Sequence, residues 1–124
     1  MTNYGKELIL DLYDCNSDLF TREDIEKYMI ELCELIDMTR ADLHFWDYED
    51  STQEEYDEAP PHLKGTSVVQ FIMTSNIVMH ALDELGRIYL NIFSCKDFDP
   101  EVVVEFTLKY FGGHVKNGAV VDRE

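Results

Sequence analysis

The tightest constraint on this chain lies between Gly65 and Cys95, where apolar runs are cut by short polar breaks. Val68–Met73 and Ile77–Met79 flank a Thr74-Ser75-Asn76 break, and Asp83–Gly86 precedes a third run at Arg87–Ser94. Breaks this short join antiparallel neighbours, because parallel strands need a crossover of a dozen or more residues. The pattern predicts strands over Thr66–Met73, Ile77–Leu82 and Arg87–Ser94. Polar residues also stand where core is expected: Ser67, Ser75, His80 and Cys95. A hydroxyl at a turn, a histidine on the following strand and a thiol across the sheet form a candidate chemical site.

The rest of the chain supplies what packs on these strands. Glu7–Cys15 is rich in Leu, Ile and Tyr and reads as a strand, followed by a turn at Asn16–Phe20. Thr21 is a helix N-cap, with Glu23 and Asp24 in the first turn, where negative charge complements the helix dipole. Ile25, Tyr28, Met29, Leu32 and Ile36 recur at helical spacing, so Arg22–Asp37 is an amphipathic helix with Cys33 beside its apolar stripe. Ala41–Tyr48 reads as a strand carrying Leu43 and Phe45 on one face and His44, Trp46 and Tyr48 on the other. The acidic stretch Glu49–Leu63 ends in Pro60-Pro61 and is expected to be a mobile surface loop or lid. Asp99 caps a second helix with Pro100 at its first position, and Gly112-Gly113 ends it. His114–Val121 is a last strand. The expected fold is α+β: one domain over residues 1–124, a two-layer sandwich of a mainly antiparallel sheet with two helices on one face.

Charge narrows the partners. Asp and Glu total 26 against 10 Lys and Arg, a net charge of −16. Such a surface disfavours nucleic acid and anionic membranes and suits a cationic small substrate. Three cysteines without a CxxC spacing suggest a reducing, cytoplasmic compartment. The opening residues lack the pattern of a secretory signal, and no apolar run is long enough to span a bilayer. The four histidines form no HxH or HExxH pattern, so no metal site is expected.

The order and spacing of these residues resemble the short prokaryotic form of S-adenosylmethionine decarboxylase, a pyruvoyl-dependent family. The resemblance runs from Gly5-Lys6-Glu7-Leu8 and Tyr13-Asp14-Cys15, through His44-Phe45-Trp46, to Ser67-Val68-Val69, Thr74-Ser75-Asn76, His80, Glu84 and Phe93-Ser94-Cys95. It implies backbone self-cleavage between Thr74 and Ser75, with Ser67 and His80 assisting, His80 by proton transfer. Ser75 would become a pyruvoyl cofactor that forms a Schiff base with the substrate amine, and Cys95 would be the proton donor. Phe45, Trp46, Tyr48 and Glu84 would bind substrate. The implied activity makes decarboxylated S-adenosylmethionine for spermidine synthesis, in a homodimer.

The chain departs from the family pattern at four places. Thr74 stands where Glu is usual before the cleavage serine, and Asn76 where His follows it. Ala81-Leu82-Asp83-Glu84 replaces a Thr-Trp-Pro-Glu segment, and the acidic loop before Ser67 is longer. These departures leave two alternatives: an uncleaved binding or regulatory homologue, or a pyruvoyl decarboxylase of another amino acid such as ornithine or arginine.

Overall fold

The computed structural model describes residues 3–124. The chain runs β1 (Gly5–Tyr13), α1 (Arg22–Leu35), β2 (Arg40–Trp46), α2 (Gln53–Glu58), β3 (Gly65–Ile72), β4 (Ser75–Leu82), β5 (Arg87–Ser94), α3 (Pro100–Phe111) and β6 (His114–Arg123). The strands form one six-stranded sheet in the order β2-β3-β4-β5-β1-β6. Every neighbouring pair is antiparallel. The α+β two-layer fold expected from the sequence is the fold observed.

Alternation along the strands decides which face is core. Leu8, Leu10 and Leu12 on β1, Ile77, Met79 and Ala81 on β4, and Ile88, Leu90 and Ile92 on β5 all turn to the helical layer and are buried. Each such leucine or isoleucine contributes about 1.5–3 kcal/mol through burial. From the helices, Ile25, Tyr28, Met29, Leu32, Val103 and Phe111 close the core. Tyr28 stands at its centre, stacked on Phe106 at 5.5 Å, with its hydroxyl 2.7 Å from the buried Thr107 hydroxyl. On the opposite face the segment around α2 reaches over Ser67 and His80.

The caps lie where the sequence places them. Thr21 Oγ1 accepts from the Asp24 amide to start α1, and the Asp99 carboxylate accepts from the Glu101 amide to start α3. Two expectations are corrected. The stretch Glu49–Leu63 is not irregular throughout, because Thr52 and Glu55 form a capping box that opens α2. It is also pinned to the β4–β5 turn: the Tyr56 hydroxyl donates to Asp83 at 2.7 Å, and Lys64 Nζ donates to Glu84 at 2.7 Å. The second correction concerns the break at Thr74-Ser75-Asn76. Only Met73 and Thr74 form the turn, and Ser75 is the first residue of β4, paired with Ile72 and Ser94.

Candidate active site

That tight turn puts Thr74 at φ 65°, a left-handed conformation that a β-branched residue adopts only under strain. Strain of this kind costs on the order of 1–3 kcal/mol and persists where the surrounding structure over-determines it. Cys95, just past the end of β5, supplies part of that structure. Its Sγ lies 3.0 Å from Thr74 Oγ1 and 3.6 Å from the Thr74 carbonyl oxygen. The Thr74 hydroxyl in turn donates to the Met73 carbonyl at 2.5 Å. Gly5 lets β1 close on this corner, since a Cβ there would stand 2.1 Å from the Ser94 carbonyl oxygen.

The three thiols differ in kind. The Thr74 hydroxyl, able to turn its proton toward sulfur, holds the Cys95 thiol below its ordinary range. Burial pushes Cys15 and Cys33 up to about 11. Of the three, Cys95 is therefore the thiol that ionises most readily.

Ser75 and Cys95 meet at the same peptide unit. The Ser75 side chain turns inward and donates to Ser94 Oγ at 2.9 Å in a buried setting. Ser94 ends β5 and Cys95 follows it, with the Ser94 hydroxyl on Ser75 and the Cys95 sulfur against Thr74. Ser94 is fully buried. Sequence reasoning quoted it beside Cys95 and gave it no role; its place just before Cys95 was the available signal.

The second cluster lies on the open face. Ser67 and His80 are partners in register, and Ser67 Oγ is 2.8 Å from His80 Nδ1. They belong to a row crossing four strands: Trp46, Ser67, His80 and Tyr89. The row floors a cavity of about 600 Å³ walled by Tyr48, His62 and Leu63 from the segment around α2. Trp46, with 83% of its surface exposed, and Tyr48 both line it.

The remaining candidates lie elsewhere. Phe45 is on the other face of β2, under the Arg22 guanidinium at 5.3 Å. Glu84 is on the β4–β5 turn, bound to the nearly buried Lys64. Ser75 and His80 are five residues apart on one strand, so they face opposite sides, about 16 Å apart along the backbone. Within one chain the structure brings Thr74, Ser75, Ser94 and Cys95 together, and separately Ser67, His80, Trp46 and Tyr48.

Both clusters sit on a sheet of known kind. The family model for S-adenosylmethionine decarboxylase matches residues 6–124. The crystal structure of the adenosylmethionine decarboxylase from Aquifex aeolicus VF5 superposes with a TM-score of 0.75 at 16% sequence identity, covering 99% of this chain and 92% of that one. No curated protein matches. The structural likeness carries the fold, and the family model spans nearly the whole chain. On that span, this chain belongs to the S-adenosylmethionine decarboxylase family, in its short prokaryotic form.

Proposed function

We propose that the chain is a self-processing, pyruvoyl-dependent decarboxylase of S-adenosylmethionine, supplying the decarboxylated product for spermidine synthesis. The observation that carries this is the Thr74–Ser75 peptide bond, set at a strained corner with the Cys95 thiol 3.6 Å from its carbonyl oxygen. Strain at Thr74 raises the ground state of the bond to be cut. A thiol against the carbonyl oxygen can donate to it as negative charge develops there.

In the first step Ser75 Oγ forms a bond to the Thr74 carbonyl carbon and the C–N bond breaks, with the Oγ proton ending on the Ser75 nitrogen. Removal of the Ser75 Cα proton then expels the Thr74 carboxylate and leaves dehydroalanine. Water converts this to a pyruvoyl group on Asn76 and releases ammonia. The group is built from Ser75's own Cα and Cβ, so the space that holds Ser75, 8% exposed, also holds it. Once formed, its ketone supplies an electrophile for the substrate amine and a sink for electrons as carbon dioxide leaves. Cys95 Sγ returns a proton to the substrate α-carbon. Aromatic faces at Trp46, Tyr48 and Tyr89 suit a sulfonium or an adenine ring.

His80 carries an imidazole, the side chain that most often serves to remove a proton in such steps. It cannot reach Ser75 of its own chain across about 16 Å. A second copy, laid open face to open face and running the other way, brings its Ser67–His80 pair over this chain's Thr74–Ser75. Exposed Trp46 and Phe71 on the same face support such a homodimer. Phe45, on the buried face, supports the wall of this site from behind rather than touching substrate.

Denaturing mass spectrometry tests the proposal. Two fragments, residues 1–74 and a pyruvoyl-capped remainder, are expected, and a chain that stays intact on long incubation overturns it. The net charge of −16 suits a basic side chain as well as a sulfonium, which keeps a second reading in which the same chemistry acts on ornithine or arginine. Carbon dioxide release from each labelled substrate separates the two.

A further inference from the structure

Ser94 is the best-connected hydroxyl among the described residues and the mechanism above does not use it. Its Oγ accepts from Ser75 Oγ at 2.9 Å and from the Lys96 amide at 3.0 Å, and donates to the Lys96 carbonyl at 2.8 Å. A serine hydroxyl offers one proton and two lone pairs, and here all three are engaged. The proton of the Ser75–Ser94 bond is therefore Ser75's own. Among the described residues no amide or hydroxyl donates to Ser75 Oγ, whose other polar neighbour is the Cys95 sulfur. Ser94 itself cannot shift, because it is fully buried and its backbone is paired to Lys6 on one side and Ser75 on the other.

We infer that Ser94 is a positioning residue for self-cleavage, holding Ser75 Oγ by its proton in one rotamer so that its lone pairs are free for the Thr74 carbonyl carbon. The inference rests on the self-cleavage proposed above and assigns it a residue beyond Ser67, His80 and Cys95. Ser94 is not the base, since a neutral hydroxyl does not take up a second proton near neutrality; the proton still ends on the Ser75 nitrogen. Its part is orientation. Ser94 fixes the nucleophile while its neighbour Cys95 touches the carbonyl oxygen. One dipeptide at the end of β5 thereby grips both sides of the bond to be cut.

Thr and Val have nearly the same shape and differ by the hydroxyl, so Ser94→Thr and Ser94→Val form the test, with Ser94→Ala as a variant that adds no bulk. Freshly purified full-length chains are incubated and the cleaved fraction is followed by denaturing mass spectrometry, with a thermal melt to confirm folding. Ser94→Thr is expected to cleave within about threefold of the wild type, and Ser94→Val and Ser94→Ala at least about tenfold more slowly, the loss of one orienting hydrogen bond. Ser94→Ala or a folded Ser94→Val cleaving as fast as Ser94→Thr overturns the inference and leaves self-cleavage standing. Ser94→Thr and Ser94→Val equally slow beside a fast Ser94→Ala also overturns it, because bulk and not the hydroxyl would then be the cause. A wild type that never cleaves overturns self-cleavage and the inference with it.

Discussion

A mixing experiment decides whether the two halves of the site come from one chain or two. Ser67 and His80 face the open side of the sheet, whereas the Ser75 side chain faces the helices. Their residues on β4 are about 16 Å apart, while a proton transfer needs heavy atoms within about 3 Å. No rotamer of His80 closes that gap, and β4 is paired on both edges along its whole length. A His80→Ala chain keeps its own Ser75 and lacks the proton-transfer group; a Ser75→Ala chain keeps Ser67 and His80 and cannot be cut. Alone, each should remain intact. Mixed in equal amounts, unfolded and refolded together, about half of the His80→Ala chains pair with a Ser75→Ala chain in a two-fold dimer. Each such chain then receives one complete site, so about half of the His80→Ala chains should be cut and the Ser75→Ala chains not at all. Mass spectrometry reads the two variants separately by their masses. Cleavage of His80→Ala alone, or none in the mixture beside a cleaving wild type, would refute the argument from distance.

Three further outcomes follow from the geometry. Cys95 should react with iodoacetamide at lower pH than Cys15 or Cys33, whose thiols burial pushes to about 11. Thr74→Val removes the hydroxyl that stabilises the Cys95 thiolate, so the midpoint of the alkylation-rate profile should move to higher pH; an unmoved midpoint would discount that hydrogen bond. Tyr28→Phe leaves the core volume intact and removes the hydroxyl that donates to Thr107, whose own proton stays on the Val103 carbonyl, so a loss of about 1 kcal/mol in urea unfolding is expected. Gly5→Ala places a Cβ 2.1 Å from the Ser94 carbonyl oxygen. It should lower the melting temperature and slow cleavage together, because the strand that must move also holds Ser94 and Cys95.

Much of the fold was legible because local signals and burial agreed. Thr21 and Asp99 are caps with few alternatives, and Arg87–Ser94 is observed with the bounds its pattern predicts. What misled was polarity at the β3–β4 corner. Thr74, Ser75 and Asn76 look alike as turn formers, yet strand pairing claims Ser75 and Asn76, because Ser75 can satisfy its buried hydroxyl on Ser94. The helix α2 was hidden in the same way: proline and acid in Glu49–Leu63 outweighed the Thr52–Glu55 capping box, although that box is itself a helix signal. Contacts between distant residues, such as Lys64 with Glu84, follow from topology and left no local mark in the sequence.

The spacing of the candidate site carries two messages that differ in kind. Ser67, Ser75, His80 and Cys95 in that order mark ancestry, and a family model spanning residues 6–124 agrees with them. Their parity says something else. On one strand an even separation keeps two side chains on one face, and an odd one divides them. Ser75 and His80 are divided on β4, while Ser67 and His80, on adjacent strands and in register, share a face and a hydrogen bond. Cys95 follows β5 directly, its sulfur against Thr74 at the end of the strands away from Ser67 and His80. A single sheet thus holds the proposed nucleophile and proton donor at one end and the proposed base with its hydroxyl partner near the other. Neither end is complete, and the two are complementary. A sheet whose open face is covered only in part has a simple way to unite them, which is a second sheet turned end for end.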